Sequence, residues 1–235
     1  MSTALDLRVA PDADAAASGA AEVLATLIIE AVDARGRAVI AVSGGATPWL
    51  MLGDLATRDV PWGELHVFQV DERVAPDGDP DRNDTHLRES LFDRVPIPAD
   101  QIHPMDVCAP DLGAAASAYG EVLSDVAGGV LDVVHLGLGD DGHTASLAPG
   151  GAALDEHERL VVPTEDAFRG HRRMTLTLPA LDAARRRLWL VTGAMKSAML
   201  ARLLAGDEAI PAGRVRRDET TIVCDREAAK GVNHG

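Results

Sequence analysis

His143 sits behind two aspartates and a glycine in LDVVHLGLGDDGHTASLAPGG, residues 131–151. An imidazole titrates near neutrality, so it can act as a general base, and a neighbouring carboxylate such as Asp141 can fix its tautomer. The same stretch spells G-x-G-x-x-G from Gly137 to Gly142, the spacing of a dinucleotide fingerprint. That fingerprint needs a full helix packed behind the loop. Here Pro149-Gly150-Gly151 leaves room for little more than one turn, which Thr144 and Ser146 are expected to cap. Asp140 and Asp141 would also put negative charge where a pyrophosphate rests. Glu165 or Asp166 lies near the distance expected of a ribose-binding acid, but a catalytic loop fits the stretch better. The histidines show no H-E-x-x-H or comparable spacing, so no metal and no cofactor is expected.

Three other segments carry chemistry. Ser43-Gly44-Gly45-Ala46-Thr47-Pro48 joins an apolar run to a helical one. Gly44 and Gly45 let backbone N–H groups approach a ligand, the helix start adds partial positive charge, and Thr47 can cap or donate. The Lys-Ser/Thr ending of a Walker loop is missing. Asp71-Glu72-Arg73 closes the apolar run LHVFQV. Charges there must be solvated or paired. Arg73 can grip a phosphate or carboxylate through two parallel hydrogen bonds, and Asp71 can accept from a hydroxyl or orient a base. Arg82-Asn83 can return to the same place, or serve only as a loop and helix cap. Lys196 lies one turn into a helix after Gly193, where an ammonium suits a phosphate.

These segments need elements to position them. Apolar, β-branched runs at 5–10, 37–44, 65–70, 131–138, 159–163, 173–178, 187–192 and 220–224 read as strands. Helical spacing marks 14–34, a segment starting at 47–56, 83–93, 111–126 and 194–205. This alternation predicts an α/β fold: a Rossmann-like, mainly parallel sheet with helices on both faces, as one domain over 1–235. Such sheets bind ligands at the carboxyl ends of their strands, where all four segments fall.

Composition narrows the function. The 235-residue chain is 46% hydrophobic and 25% charged, an ordinary globular balance. A net charge of −15 argues against nucleic acid and requires locally concentrated cations for an anionic substrate. Cys108 and Cys224 form no C-x-x-C and are expected to be buried thiols in a reducing compartment. No uninterrupted apolar run reaches the ~20 residues of a membrane span, and the N-terminus lacks a secretory pattern. A cytoplasmic location is expected, with no membrane and no obligate protein partner.

In order and separation, SGGATP, DER with Asn83, LGLGDDGHTASLAPG, RMTLT, VTGAMKSAML and IPAGRV resemble the 6-phosphogluconolactonase family over roughly residues 37–225. Glucosamine-6-phosphate deaminases of the same superfamily share the glycine turn and Asp-Gly-His. They typically continue Ile-Ala-Phe-Asn-Glu, where this chain has Thr144-Ala145-Ser146-Leu147, and they carry an aromatic where Arg73 stands. Ala148 replaces a usual Phe, and Arg82 an often-found Ser, at loop positions. The resemblance implies 6-phospho-D-glucono-1,5-lactone as substrate, phosphate binding by Arg73 and Lys196, and His143 as base. Arg173 matches the family pattern, while Arg169 and Arg172 stay open as further cations. Asp71 and Asp141 are both candidates to orient the base or bind hydroxyls. A sugar-phosphate deaminase or isomerase, or a non-catalytic sugar-phosphate sensor, is the alternative.

Overall fold

The computed structural model describes residues 5–165 and 167–232, so Asp166 lies outside the described residues. Among the described residues, ten strands form two sheets. The larger is parallel throughout and contains β1 (Asp6–Ala10), β2 (Ala38–Val42), β3 (Leu65–Gln69), β5 (Ile102–His103), β6 (Val133–Gly137), β9 (Arg186–Val191) and β10 (Thr220–Asp225). Its order is β1-β10-β9-β6-β2-β3-β5. Strand side chains alternate between faces, and both faces are covered. Ile40 and Val42 pack towards helices α1 (Ala13–Arg35), α2 (Ala46–Leu55) and α3 (Asn83–Leu87). Val39 and Ala41 pack towards α4 (Leu112–Ala127), α5 (Leu178–Ala183), α6 (Ser197–Ala205) and α7 (Arg226–Ala229). All five residues of β2 are therefore buried.

α1 follows from local signals. Asp12 caps it by accepting from the Ala15 amide, and Gly36, at φ 75°, ends it in the left-handed conformation. At 23 residues it has the length and apolar content of a membrane-crossing helix. Its Ala16, Ala20, Leu24 and Ile28 face is nevertheless buried in the core. α3 is shorter than the spacing at 83–93 predicts, because the chain continues as a wider π-type turn over Arg88–Phe92.

Beside the mainly parallel sheet that was expected stands a second, smaller sheet. β4 (Asp71–Arg73), β8 (Arg173–Leu176) and β7 (Val161–Pro163) pair antiparallel in the order β4-β8-β7. The Asp-Glu-Arg segment is thus itself a short strand. Its residues pair Asp71 with Thr175, Glu72 with Met174 and Arg73 with Arg173. Cys108 is exposed, contrary to expectation, while Cys224 is buried.

Candidate active site

β2 and β6 are neighbours from which the chain diverges. β3 and β5 extend to one side, and β9, β10 and β1 to the other. This is the switch point of an open parallel sheet, where the loops leaving two adjacent strands separate and open a crevice. A cleft of about 280 Å³ occupies it. Gly44, Gly45 and Thr47 after β2 line it, with Gly137 at the end of β6 and Gly139 just beyond it. Asp71, Arg73, Asn83, His143, Arg169, Arg173 and Lys196 complete the polar wall.

His143 is fixed by its own loop. Its Nδ1 lies 2.5 Å from Asp141 Oδ1, which also accepts from the His143 amide at 3.0 Å. With Nδ1–H given to the carboxylate, Nε2 keeps the lone pair a base needs. The Gly139 amide donates to the His143 carbonyl at 2.8 Å and closes the loop. A Cβ at Gly139 would stand 1.9 Å from Nδ1, so only glycine leaves room for the ring. Burial pushes the imidazole pKa below its ordinary value, and Asp141 partly opposes that shift. Burial works against an ionised Asp141, but hydrogen bonds from the His143 amide and ring outweigh it and lower that carboxyl. Both directions favour a neutral imidazole beside a carboxylate at neutral pH.

The cations come from separate elements. In β4 and β8, residues two apart share a face, so Asp71 and Arg73 align with Thr175 and Arg173. Two arginines directly opposite on one face repel. That arrangement suits an anion between them. Arg173 Nη1 lies 3.4 Å from Asp71 Oδ2, and its Nε donates to the Phe168 carbonyl at 3.2 Å. Arg73 Nη1 donates to the Asp81 carbonyl at 2.6 Å, while its buried Nε has no hydrogen-bond partner among the described residues. Lys196 ends the short turn Ala194–Lys196 that precedes α6. Burial lowers its pKa, and Asp140 counteracts this. Arg169 also reaches the cleft and pairs with Asp140. Arg172 does not reach it; its Nε turns to the Thr164 carbonyl at 3.4 Å.

Several expectations need correcting. Thr47 does not cap α2; Gly45 is the cap residue at φ 137°, and Thr47 Oγ1 meets Thr192 Oγ1 at 2.7 Å. No helical turn follows His143. Thr144 to Leu147 is a tight turn, and the buried Ser146 hydroxyl donates to Asp71. Asp71 therefore serves Ser146, Arg173 and Asn83, whereas Asp141 holds the imidazole. Arg82 turns away from the cleft to ion-pair with fully buried Glu72. That carboxylate also accepts from the amides of Arg73, Asn83 and Asp84 at 2.7, 2.8 and 2.7 Å. Asn83 does return to the site: its Nδ2 donates to the Asp71 carbonyl at 2.8 Å.

Phe168 escaped the sequence reading. Its ring meets the His143 ring edge-on, with centroids 4.9 Å apart and planes at 74°. One signal was available, the Arg169-Gly170 pair that follows it. These residues, at φ 51° and 91°, form the two-residue tip of a hairpin in which Phe168 pairs with His171. Ligand atoms of Asp140, Asp141 and His143 lie within 4.8 Å of one another, close enough for a cation. Asp140 is engaged by Arg169 and Asp141 by His143, so a metal would have to displace both pairs.

Residues 11–224 match the family described as glucosamine-6-phosphate isomerases/6-phosphogluconolactonase. A 6-phosphogluconolactonase of Mycobacterium tuberculosis is 36% identical over 238 residues, covering 95% of this chain and 96% of the relative. The solved 6-phosphogluconolactonase from Trypanosoma cruzi superposes with a TM-score of 0.88 at 26% identity, covering 99% of this chain and 98% of that one. The corresponding structure from Thermotoga maritima gives 0.85 at 26% identity, over 94% and 99% of the two chains. With this match spanning most of its length, the chain belongs to the glucosamine-6-phosphate isomerase/6-phosphogluconolactonase family.

Proposed function

We propose that this protein hydrolyses 6-phospho-D-glucono-1,5-lactone to 6-phospho-D-gluconate. One observation carries the reading: a neutral imidazole, anchored through Nδ1 to Asp141, shares a cleft with Arg73, Arg173, Arg169 and Lys196. The phosphate, about doubly negative, binds among Arg73, Arg173, Lys196 and the amides at the start of α2. Phosphate binding fixes the lactone carbonyl near His143 Nε2, and a lactone is activated enough that one base plus positioning suffices. His143 takes a proton from water as the oxygen of that water attacks C1. Backbone amides of the glycine loops stabilise the oxyanion. Collapse breaks the C1–ring oxygen bond, and the imidazolium returns its proton to the leaving oxygen. No covalent intermediate and no metal enters this scheme. Asp71, engaged by Ser146 and Arg173, organises the phosphate wall. We place the reaction in the cytoplasm.

The deaminase pattern typically continues Ile-Ala-Phe-Asn-Glu after the histidine, whereas positions 144–148 hold Thr, Ala, Ser, Leu and Ala. The deciding measurement is acid release from freshly made lactone at a pH where spontaneous opening is slow. Wild-type protein accelerates it, and His143→Ala lowers kcat by about 10²–10⁴-fold. A His143→Ala variant that keeps the wild-type rate removes the base. Ammonia release from glucosamine 6-phosphate, with no lactone opening, replaces the reading by the deaminase. Arg73→Ala is expected to raise KM more than it lowers kcat; an unchanged KM takes Arg73 out of the phosphate site.

A further inference from the structure

The hairpin tip between β7 and β8 carries no residue of the hydrolytic scheme except its cations, yet it puts an aromatic ring against the base. We propose that Phe168 is a positioning residue for the His143 imidazole, and that it is itself held by the two guanidiniums that face the cleft. The inference rests on the reading of His143 as the base. The Phe168 ring meets the imidazole at 4.9 Å between centroids and 74° between planes. Arg169 Cζ lies 5.5 Å and Arg173 Cζ 5.4 Å from the centroid of the same ring. Guanidiniums are attracted to an aromatic face by its quadrupole, and an edge-on aromatic pair prefers one mutual orientation. One ring therefore touches both the proton acceptor and the anion grip.

The backbone under Phe168 is also fixed. Its amide donates to the His171 carbonyl at 2.9 Å, and its own carbonyl accepts from Arg173 Nε at 3.2 Å. The turn that reverses the chain needs left-handed backbone at Arg169 and Gly170, which is what these residues adopt. The ring thus stands on a defined turn. Asp141 alone fixes the imidazole at Nδ1, which leaves rotation about that contact open; Phe168 closes it from the side. The charged groups that act on His143 are Asp141 on its own loop, Arg169 on the hairpin and Asp71 on β4. Removing the Phe168 ring admits water to the imidazole, which favours its protonation, and takes one contact from Arg169, which keeps its pairing with Asp140.

The test follows His143 itself as well as turnover. Its imidazole resonance, identified by its loss in His143→Asn, is titrated in wild type and in Phe168→Ala, Phe168→Tyr and Phe168→Leu, and kcat and KM for the lactone are measured across pH. Phe168→Ala is expected to move the His143 midpoint upward and to lower kcat about 10-fold, with a smaller change in KM. Phe168→Tyr restores both readings and Phe168→Leu restores neither. A folded Phe168→Ala protein with wild-type midpoint and kcat overturns the proposal. So does full restoration by Leu, which would make the ring a space filler. Should the Ala variant fail to fold, the contrast between Tyr and Leu carries the same decision. If the wild type opens no lactone, the functional reading falls, and the resonance still decides whether the ring positions His143.

Discussion

At the scale of residues, the chemistry turns on how two opposing influences set one imidazole. Burial disfavours imidazolium, and Asp141 favours it; burial prevails and the His143 pKa is lowered. A base works only when unprotonated. The acid limb of kcat/KM is therefore expected below the ordinary imidazole range, with activity lost as pH falls through the lowered value. Asp141→Asn removes the partner that raises the pKa, so the limb should move further down while kcat drops because the ring loses its anchor. A pH–rate profile of the variant checks this, and an upward move would mean that Asp141 is not the controlling partner. His143 and Arg73 were legible as cleft residues from residue type and position at a strand end, and Lys196 through the family resemblance. Phe168 was not, because a lone aromatic in a polar loop has no periodicity and reaches His143 only through the folded hairpin.

At the scale of elements, the sequence made the large parallel sheet readable and hid the small antiparallel one. The runs at 37–44, 65–70 and 131–138 are long and apolar because both of their faces are buried, and periodicity detects that. β4 is three residues long and wholly charged, so no hydrophobic pattern announces it. Its pairing with β8 is nevertheless what sets Arg73 opposite Arg173 and chooses Arg173 over Arg172, whose side chain alternates to the other face. Residue type alone did not choose among Arg169, Arg172 and Arg173; the family pattern favoured Arg173, and the register gives the physical reason. The loop after β6 gives the sharpest element-level prediction. Gly139→Ala places a methyl where the imidazole stands, so activity should fall by about 10²-fold or more while the far-ultraviolet circular dichroism stays unchanged. Activity near wild type would show that the loop has slack.

At the scale of the whole molecule, buried histidines tie stability to pH. His135 is completely buried in β6, accepts from the Ser43 amide at 3.3 Å, and has its pKa driven down to about 3 by desolvation. His103 on the edge strand is lowered to about 4 by burial and by neighbouring His66. Each folded pKa lies below the unfolded value near 6.5, so the unfolded chain binds more protons between the two. Stability is then level above about pH 7 and is lost as pH falls through 6.5 towards 4. His135 alone contributes a slope of at most about 1.4 kcal/mol per pH unit. Urea midpoints measured from pH 7.5 to 4.5 should fall accordingly, and His103→Gln should flatten the decline; a flat wild-type series would contradict it. His135 lies within the 131–138 run that reads as a central strand, so its burial was legible, whereas that of His103 depends on pairing at the sheet edge.

The cleft is walled by parts of two sheets. Arg73 and Arg173 ride on the small one, while the imidazole, Lys196 and the start of α2 ride on the large one. On the proposed reading, the molecule acts as a caliper whose jaws are set by strand pairing and not by the ligand. A phosphorylated lactone one carbon shorter would seat its charged end and leave its ester short of the second jaw, so selection among substrates becomes a question of length.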